Sequence, residues 1–214
     1  MASDFFNLLY HGYTGEYQLM SALYRHGLDA LRPPADMGID VVSLNLKERL
    51  ENPEVAPETF YFQVKTAVTD VREAEDAPGA ITTVYFKLTD AEIDLLCKGR
   101  DRALVCYVYN SEVDALTDAY EAPFMCFWLD GTRLAAIRDA GALFRLKGET
   151  KQTLAFQLRK PTHEYGHWYA VAVDVYGNQA PEGYLGTVDT GSAGASDGAY
   201  HYSIKGYLDF ARGK

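Results

Sequence analysis

Long hydrophobic runs are absent from this sequence. A membrane-spanning helix needs roughly 18 consecutive apolar residues, and no run in the chain approaches that length. The opening segment, MASDFFNLLYHGYTGEYQLM, also lacks the basic start and the cleavable apolar stretch of a secretory signal. We therefore expect a soluble, cytoplasmic protein with no membrane partner.

Cysteine is scarce as well. The chain has three cysteines, Cys97, Cys106 and Cys126, and no CxxC spacing among them. An odd number of cysteines without CxxC spacing is typical of a reduced, cytoplasmic protein. Each cysteine lies in or next to an apolar run, so we expect reduced thiols in the core.

Basic charge is in deficit, with 20 Lys and Arg against 30 Asp and Glu, a net charge of −10. An acidic protein is a poor match for a nucleic acid. The charge is uneven, however: residues 36–121 hold 18 acidic and 8 basic side chains, whereas residues 131–163 hold seven basic and two acidic ones. This basic segment suits either phosphate contact or an ordinary solvated surface, and charge alone leaves both open.

What the chain does have is enough length and apolar content for one substantial core, with 214 residues of which 48% are hydrophobic. Helical periodicity and caps predict helices over 14–28 (ended by Gly27), 89–99 (opened by a Thr89–Glu92 capping box) and 132–141 (capped by Asp130). Extended runs predict strands over 28–32, 38–44, 59–66, 81–88, 103–109, 124–129, 153–158 and 167–176. Loops are expected over 47–58 and 186–199. This order predicts an α/β layered fold with a mixed sheet.

Three polar residues fall at particular positions of neighbouring strands. Asp40 lies inside an otherwise apolar strand, and Gln63 and Lys65 share one face of the next strand because side chains alternate with period two. Hydrolysis of a phosphodiester uses a divalent cation held by hard oxygen ligands, and a lysine can stabilise the developing negative charge. The spacing therefore predicts one cluster with the chemistry of a nuclease.

These residues resemble motifs of the PD-(D/E)XK superfamily of restriction-endonuclease-like nucleases. The matching elements are Gly15–Glu16 at a helix, Gly38–Ile39–Asp40, and Phe62–Gln63–Val64–Lys65–Thr66, in a QxK form similar to the Mrr-like and Holliday-junction-resolvase-like branches. The segments TVYFKLT, RALVCYVYN and FMCFWLDG also resemble an uncharacterised bacterial nuclease-fold group. The resemblance covers roughly residues 12–131.

The resemblance implies a restriction-endonuclease-like core over residues 1–131, with a mixed central sheet flanked by helices. Residues 132–214 would form a β-rich C-terminal extension packed on the same domain. The implied activity is metal-dependent hydrolysis of DNA in bacterial repair or defence, with RNA as the alternative substrate. Dimerisation and duplex contact are candidate roles for the extension.

The resemblance also implies the roles of the site residues. Asp40 would be the central ligand of Mg²⁺ or Mn²⁺ and Lys65 the catalytic lysine, while Glu16 would supply an additional carboxylate. Gln63 and Val64 complete the implied metal site. Gln63 departs from the family pattern, which has Asp or Glu there; an amide oxygen can ligate magnesium but adds no charge. A catalytically inactive nucleic-acid-binding relative is therefore an alternative.

Another function class is suggested by His163, Glu164 and His167, which match the HExxH pattern of zinc peptidases. That chemistry needs a helix, whereas Pro161 precedes the motif, Gly166 interrupts it and a strand-like run follows. Glu182 would be its third ligand. Two weaker signals are Asp189–Thr190–Gly191–Ser192, an aspartic-protease-like element in a loop-like context, and aromatic residues that either stack on bases or belong to the core, among them Trp128, Trp168 and a run of tyrosines.

Overall fold

A computed structural model describes residues 2–34, 38–69, 81–110, 125–159, 169–187 and 204–213. The helices are α1 (Ala2–Arg25), α2 (Leu46–Glu51), α3 (Asp90–Leu96), α4 (Gly131–Asp139) and α5 (Ile204–Ala211). The strands are β1 (Asp29–Leu31), β2 (Val41–Leu44), β3 (Thr59–Thr69), β4 (Ile81–Leu88), β5 (Arg102–Asn110), β6 (Met125–Asp130), β7 (Gln152–Arg159), β8 (Tyr169–Val173) and β9 (Gln179–Thr187).

The strands form two sheets. The central sheet has the order β1-β2-β3-β5-β6 and is mixed, because β3 and β5 run parallel while the other neighbours are antiparallel. The second sheet has the order β4-β7-β8-β9 and is antiparallel throughout. The fold is therefore mixed α/β, with a five-stranded mixed sheet flanked by helices and a second sheet, as the sequence predicts.

Strand β5 lies at the centre of the layers and is buried on both faces. Leu104 and Cys106 point towards the second sheet, whereas Val105 and Tyr107 point towards α1 and α5. This alternation follows from the period of two in a strand, and burial on both faces explains why the segment is almost continuously apolar.

Aromatic side chains join the two sheets. Phe86 of β4, Phe127 of β6 and Phe156 of β7 pack edge to face, with ring centroids 4.7–6.1 Å apart. Each ring is at most 2% exposed. Burial of this apolar area is the main force that holds the second sheet against the central one.

The last helix returns to the central sheet. Tyr207 of α5 is fully buried and packs against Phe62 and Trp128, at centroid distances of 5.3 and 5.2 Å, and its hydroxyl donates to Arg100 O at 3.0 Å. Trp128 is thus a core residue, not a base-stacking one. Contacts cross residue 131 in both directions, because β4 belongs to the second sheet and α5 covers the central one; a division of the chain there stays a prediction.

Four elements differ from the predicted ones, and one of them is α5, because no helix was predicted after residue 199. Helix α1 begins at Ala2, well before the predicted start, because the tyrosines of its first half face solvent and blur the apolar periodicity. Helix α2 lies in the segment predicted as a loop; it buries no residue and so leaves no apolar pattern. Strand β9 was not expected either, and it pairs with β8 through a turn in which Asp174 Oδ1 accepts from the main-chain N–H groups of Tyr176 and Asn178.

The three cysteines form no disulfide. Cys106 is fully buried, whereas Cys97 and Cys126 are partly buried and pack against the core. Burial raises the pKa of the Cys106 thiol well above its usual value, which keeps it protonated and unreactive. Among the described residues, no helix is long and apolar enough to cross a membrane.

Candidate functional site

Asp40 directly precedes β2 and is hydrogen-bonded to β3. Its main-chain N–H donates to Phe62 O at 2.8 Å, so the antiparallel pairing continues one residue beyond β2. Its Oδ2 atom accepts from Gln63 Nε2 at 2.6 Å and from the Val64 N–H at 2.7 Å. The prediction that Asp40 lies inside the strand is wrong by one residue, since β2 starts at Val41. The carboxylate nevertheless contacts β3, because Asp40 stands across from Gln63.

Gln63 and Lys65 point to the face of β3 that lies away from α1. Gln63 is 3% exposed, and its Oε1 atom is buried without a hydrogen-bond partner in the described part of the chain. An unpaired buried carbonyl oxygen is costly and calls for an explanation. A bound cation is one chemical solution to that cost.

Glu16 lies on α1, which packs on the face of β3 that carries Val64 and Thr66, opposite the face of Gln63 and Lys65. A Cβ atom at Gly15 would lie 2.7 Å from Thr66 Cγ2 and 3.2 Å from Val64 Cγ1, so a larger residue would push the helix away. The Glu16 side chain is 13% exposed, and its Oε2 lies 2.5 Å from Arg32 Nε. The resemblance assigns Glu16 to the site, and it does not predict this ion pair.

The two predicted carboxylates line one cavity of about 320 Å³. The cavity lies between α1 and the segment that follows β1, and its lining residues are Tyr13, Glu16, Arg32, Pro33, Pro34, Ile39 and Asp40. Burial alone would lower the pKa of Arg32, but the charge of Glu16 and hydrogen bonds with Tyr17 and Tyr13 outweigh it and raise that pKa. The cavity therefore holds a permanent cation beside two acids.

Lys65 pairs with a residue that the predicted site did not include. Its Nζ lies 2.7 Å from Glu92 Oε1 on α3. Glu92 also closes the predicted capping box: its Oε2 accepts from the Thr89 N–H at 2.5 Å, while Thr89 Oγ1 accepts from the Glu92 N–H at 3.1 Å. Burial alone would raise the pKa of Glu92, but the hydrogen bonds from Lys65 and Thr89 lower it overall. Glu92 is thus a carboxylate that orients the lysine.

Glycine at position 38 lets the Asp40 segment pass close to α3. Gly38 has a φ of +77°, and a Cβ there would lie 3.2 Å from Glu92 Cγ. Both the left-handed backbone and the close approach favour glycine. The same turn therefore places Asp40 on one side and leaves room for the Lys65–Glu92 pair on the other.

The donor atoms suit a hard divalent cation. Glu16, Asp40 and Gln63 offer carboxylate and amide oxygens, the ligands that Mg²⁺ and Mn²⁺ prefer, and the buried Oε1 of Gln63 is the observation that fits best. Val64 could add only its main-chain carbonyl, because its side chain is hydrocarbon. No group of three or more His, Cys, Asp or Glu side chains is arranged to hold a metal in the described residues. A site here would therefore depend on the amide oxygen.

Two functional candidates were missed by reasoning from the sequence. Glu92 was visible in the capping box, but that role already explained it. Arg32 lies 16 residues after its partner Glu16, and no local pattern links the two. Only the packing of β1 beside α1 brings them together.

Three of the seven basic residues in the predicted basic segment form ion pairs within the fold. Arg138 lies 3.5 Å from Asp94, and Arg145 lies 2.8 Å from Asp90, both on α3. Arg133 lies 3.7 Å from Asp130. These pairs favour the solvated-surface interpretation over a concentrated phosphate-binding face.

Some predicted features lie outside the described residues: His163, Glu164 and His167 of the HExxH match, Trp168, and Asp189–Ser192. Glu182 belongs to β9, whose side chains are described only as far as Ala180. The zinc-peptidase alternative therefore stays a prediction without structural support.

No family model and no curated protein matches the chain. Among solved structures, the chain is similar to a Holliday junction resolvase from the archaeal hyperthermophile Archaeoglobus fulgidus, with 13% identity over 66% of this chain and 81% of that one, at a TM-score of 0.31.

Proposed function

We propose that the chain is a cytoplasmic, metal-dependent nuclease that hydrolyses phosphodiester bonds in DNA. The observation that carries the proposal is the position of Asp40, which is hydrogen-bonded to Gln63 across β2 and β3 and lines one cavity with Glu16. This arrangement puts carboxylate oxygens from a helix and a turn at one cavity, and the amide of Gln63 on the adjacent strand donates to one of them. Those atoms are the donor set that magnesium-dependent phosphodiester chemistry needs.

Glu16, Asp40 and Gln63 would hold Mg²⁺ or Mn²⁺, with the Val64 carbonyl as a further donor. When bound, the cation would polarise the phosphate and activate a water molecule. Gln63 has a second role in the protein itself, because its amide N–H donates to Asp40 and fixes the orientation of that carboxylate.

Lys65 would stabilise negative charge as it develops on the phosphate or the attacking water. The positioning residue Glu92 holds the ammonium of Lys65. The lysine side chain is partly buried, with 21% of its surface exposed. Because Glu92 is itself fixed by the helix cap, the ion pair restricts the lysine to few rotamers. A preorganised positive charge of this kind stabilises a negatively charged transition state well.

A second candidate function is supported by the same contacts. Glu16 and Lys65 are already engaged in ion pairs with Arg32 and Glu92, and Gln63 brings no charge. These features favour a non-catalytic protein that binds DNA without cleaving it. A homodimer is compatible with both candidates.

The test is incubation with labelled linear, branched and single-stranded DNA in Mg²⁺, in Mn²⁺ and in EDTA. The nuclease proposal predicts cleavage that requires the metal and is lost in Asp40→Asn. Asp94→Asn is the matched control, because Asp94 lies on α3 with its side chain 73% exposed. Metal-dependent cleavage that survives in Asp40→Asn would contradict the assigned site, and DNA binding without cleavage would favour the non-catalytic alternative.

A further inference from the structure

Four tyrosines form one exposed stripe along α1. Tyr10, Tyr13, Tyr17 and Tyr24 follow each other at three-, four- and seven-residue intervals, which places them on one side of a helix with 3.6 residues per turn. Their exposures are 63%, 36%, 57% and 53%. Single exposed aromatics are ordinary, but a contiguous row marks a binding surface.

The stripe does not serve the core. Leu19 and Leu23 lie on the opposite side of α1 and are fully buried against the central sheet. The helix therefore has its apolar anchor without the tyrosines. The tyrosine rings face solvent, so their apolar area gains little free energy from burial in the described fold.

The rings are held in place by their neighbours. The Arg32 guanidinium lies over Tyr13 and Tyr17, at 4.7 and 5.9 Å from the ring centroids, and the Tyr24 hydroxyl donates to Ala30 O at 2.6 Å. An aromatic surface that is already ordered loses little conformational entropy when a ligand binds.

The stripe leads into the cavity that holds the candidate metal ligands. Tyr13 lines that cavity together with Glu16 and Asp40. Along the helix axis, Tyr13 lies about 4.5 Å from Tyr10 and about 6 Å from Tyr17, at a rise of about 1.5 Å per residue. These steps exceed the roughly 3.4 Å rise per nucleotide of a stacked strand, so a strand would have to be extended to place one base on each ring.

We propose that the tyrosine stripe stacks the bases of an unpaired DNA strand and guides that strand into the cavity. The proposal rests on the proposed function, because it names the substrate class of the same site. Stacking on protein aromatics requires exposed base faces, which single strands, flaps and branch points offer and intact duplexes do not. Arg32, whose guanidinium lies over two rings of the stripe, would exchange its ion pair with Glu16 for a phosphate of such a strand.

The test measures binding without cleavage, in EDTA, by fluorescence anisotropy. The probes are a labelled single-stranded oligonucleotide, the same oligonucleotide with abasic positions, and a duplex of the same sequence. Wild type is expected to bind the intact single strand best. The triple variant Tyr10→Leu, Tyr13→Leu, Tyr17→Leu is expected to lose roughly tenfold or more in affinity for that probe, and little for the abasic one.

Matched variants separate ring stacking from general effects. Phenylalanine at the same three positions keeps the rings and is expected to retain binding of the intact strand. Tyr85→Leu with Tyr176→Leu removes two exposed tyrosines far along the chain, 59% and 86% exposed, and is expected to change nothing. Circular dichroism of each variant checks that α1 remains folded.

Equal affinity of wild type for the intact and abasic strands would overturn the proposal. So would a leucine triple variant that binds DNA normally but converts a dimer to a monomer in sedimentation, because the stripe would then be a self-association surface. Base-dependent binding by a wild type that never cleaves would support the stripe and contradict the nuclease. If the leucine triple variant cleaves DNA as fast as wild type, that result would support the nuclease and contradict the stripe.

Discussion

Lys65 Nζ and Glu92 Oε1 lie 2.7 Å apart, and the same Glu92 side chain accepts a hydrogen bond from the Thr89 N–H that begins α3. One carboxylate thus joins a lysine of the central sheet to a helix cap. The consequence is that the stability of α3 and the placement of Lys65 are physically coupled, and two substitutions can separate them.

Glu92→Gln should impair cleavage more than folding. Glutamine can still accept the capping hydrogen bond from Thr89, but it offers no charge to Lys65. Thr89→Ala should do the opposite, costing about 1 kcal/mol of stability through the lost cap while leaving kcat close to wild type. Thermal unfolding and steady-state cleavage of the two variants give the comparison. Equal losses of kcat in both would show that Glu92 acts only through the helix.

Lys65→Ala should abolish cleavage while leaving the fold and most DNA affinity intact, because the lysine is expected to act in the transition state more than in binding. The matched control is Lys87→Ala, which removes the lysine of an exposed pair with Glu149 at 2.6 Å. Exposed ion pairs contribute about 0–1 kcal/mol, so this control should behave like wild type. Wild-type cleavage by Lys65→Ala would place any activity elsewhere.

Gln63→Glu should make the stability of the protein depend on metal. The Gln63 amide now donates to Asp40 at 2.6 Å, and a glutamate would put two carboxylates in contact, which is unfavourable unless a cation lies between them. The melting temperature of the variant should fall in EDTA and rise with Mn²⁺ by more than that of wild type. Metal-dependent cleavage found only in Gln63→Glu would mean that the natural chain is a non-catalytic binder. An unchanged response to Mn²⁺ would indicate that Gln63 is no ligand.

Gly15→Ala should separate α1 from β3. The new Cβ would meet Thr66 Cγ2 at 2.7 Å, and crowding of this kind typically costs about 1–3 kcal/mol. The shift would also carry Glu16 away from Asp40 and weaken metal binding. Gly12→Ala is the internal control, since a Cβ at Gly12 meets nothing within 4 Å and alanine should stabilise the helix by up to about 1 kcal/mol. Denaturant unfolding and Mn²⁺ titration of both variants test this.

Acid should weaken the fold partly through Glu92. Burial alone would raise its pKa, but the hydrogen bonds from Lys65 and Thr89 place the folded-state pKa below the ordinary value of 4.5. A lowered carboxyl pKa stabilises the folded state above pH 4.5, and this contribution is lost as the pH falls from there through the folded-state pKa. The free energy of unfolding should therefore drop less between pH 5 and pH 3 in Glu92→Gln than in wild type. Parallel pH profiles would contradict the assignment.

Most of the strands and two of the helix starts follow from the amino-acid sequence alone, because their signals are local. The β5 segment is apolar throughout since both of its faces are buried, and the Thr89–Glu92 and Asp130 caps are each contained within a few residues. The period of two along β3 is likewise enough to put Gln63 and Lys65 on one face. Patterns of this kind depend on residues that are close in the sequence, so they do not depend on how the rest of the chain folds.

The partners of the site residues depend instead on tertiary packing. Whether Lys65 meets a metal-bound water or Glu92, and whether Glu16 stands alone or against Arg32, is set by helices and strands that are distant in the sequence. The tyrosines of α1 show the same limit: by residue type they belong in a core, and only the position of the central sheet leaves them facing solvent. Long-range contacts carry no periodic signal, so they become visible only when the chain is folded.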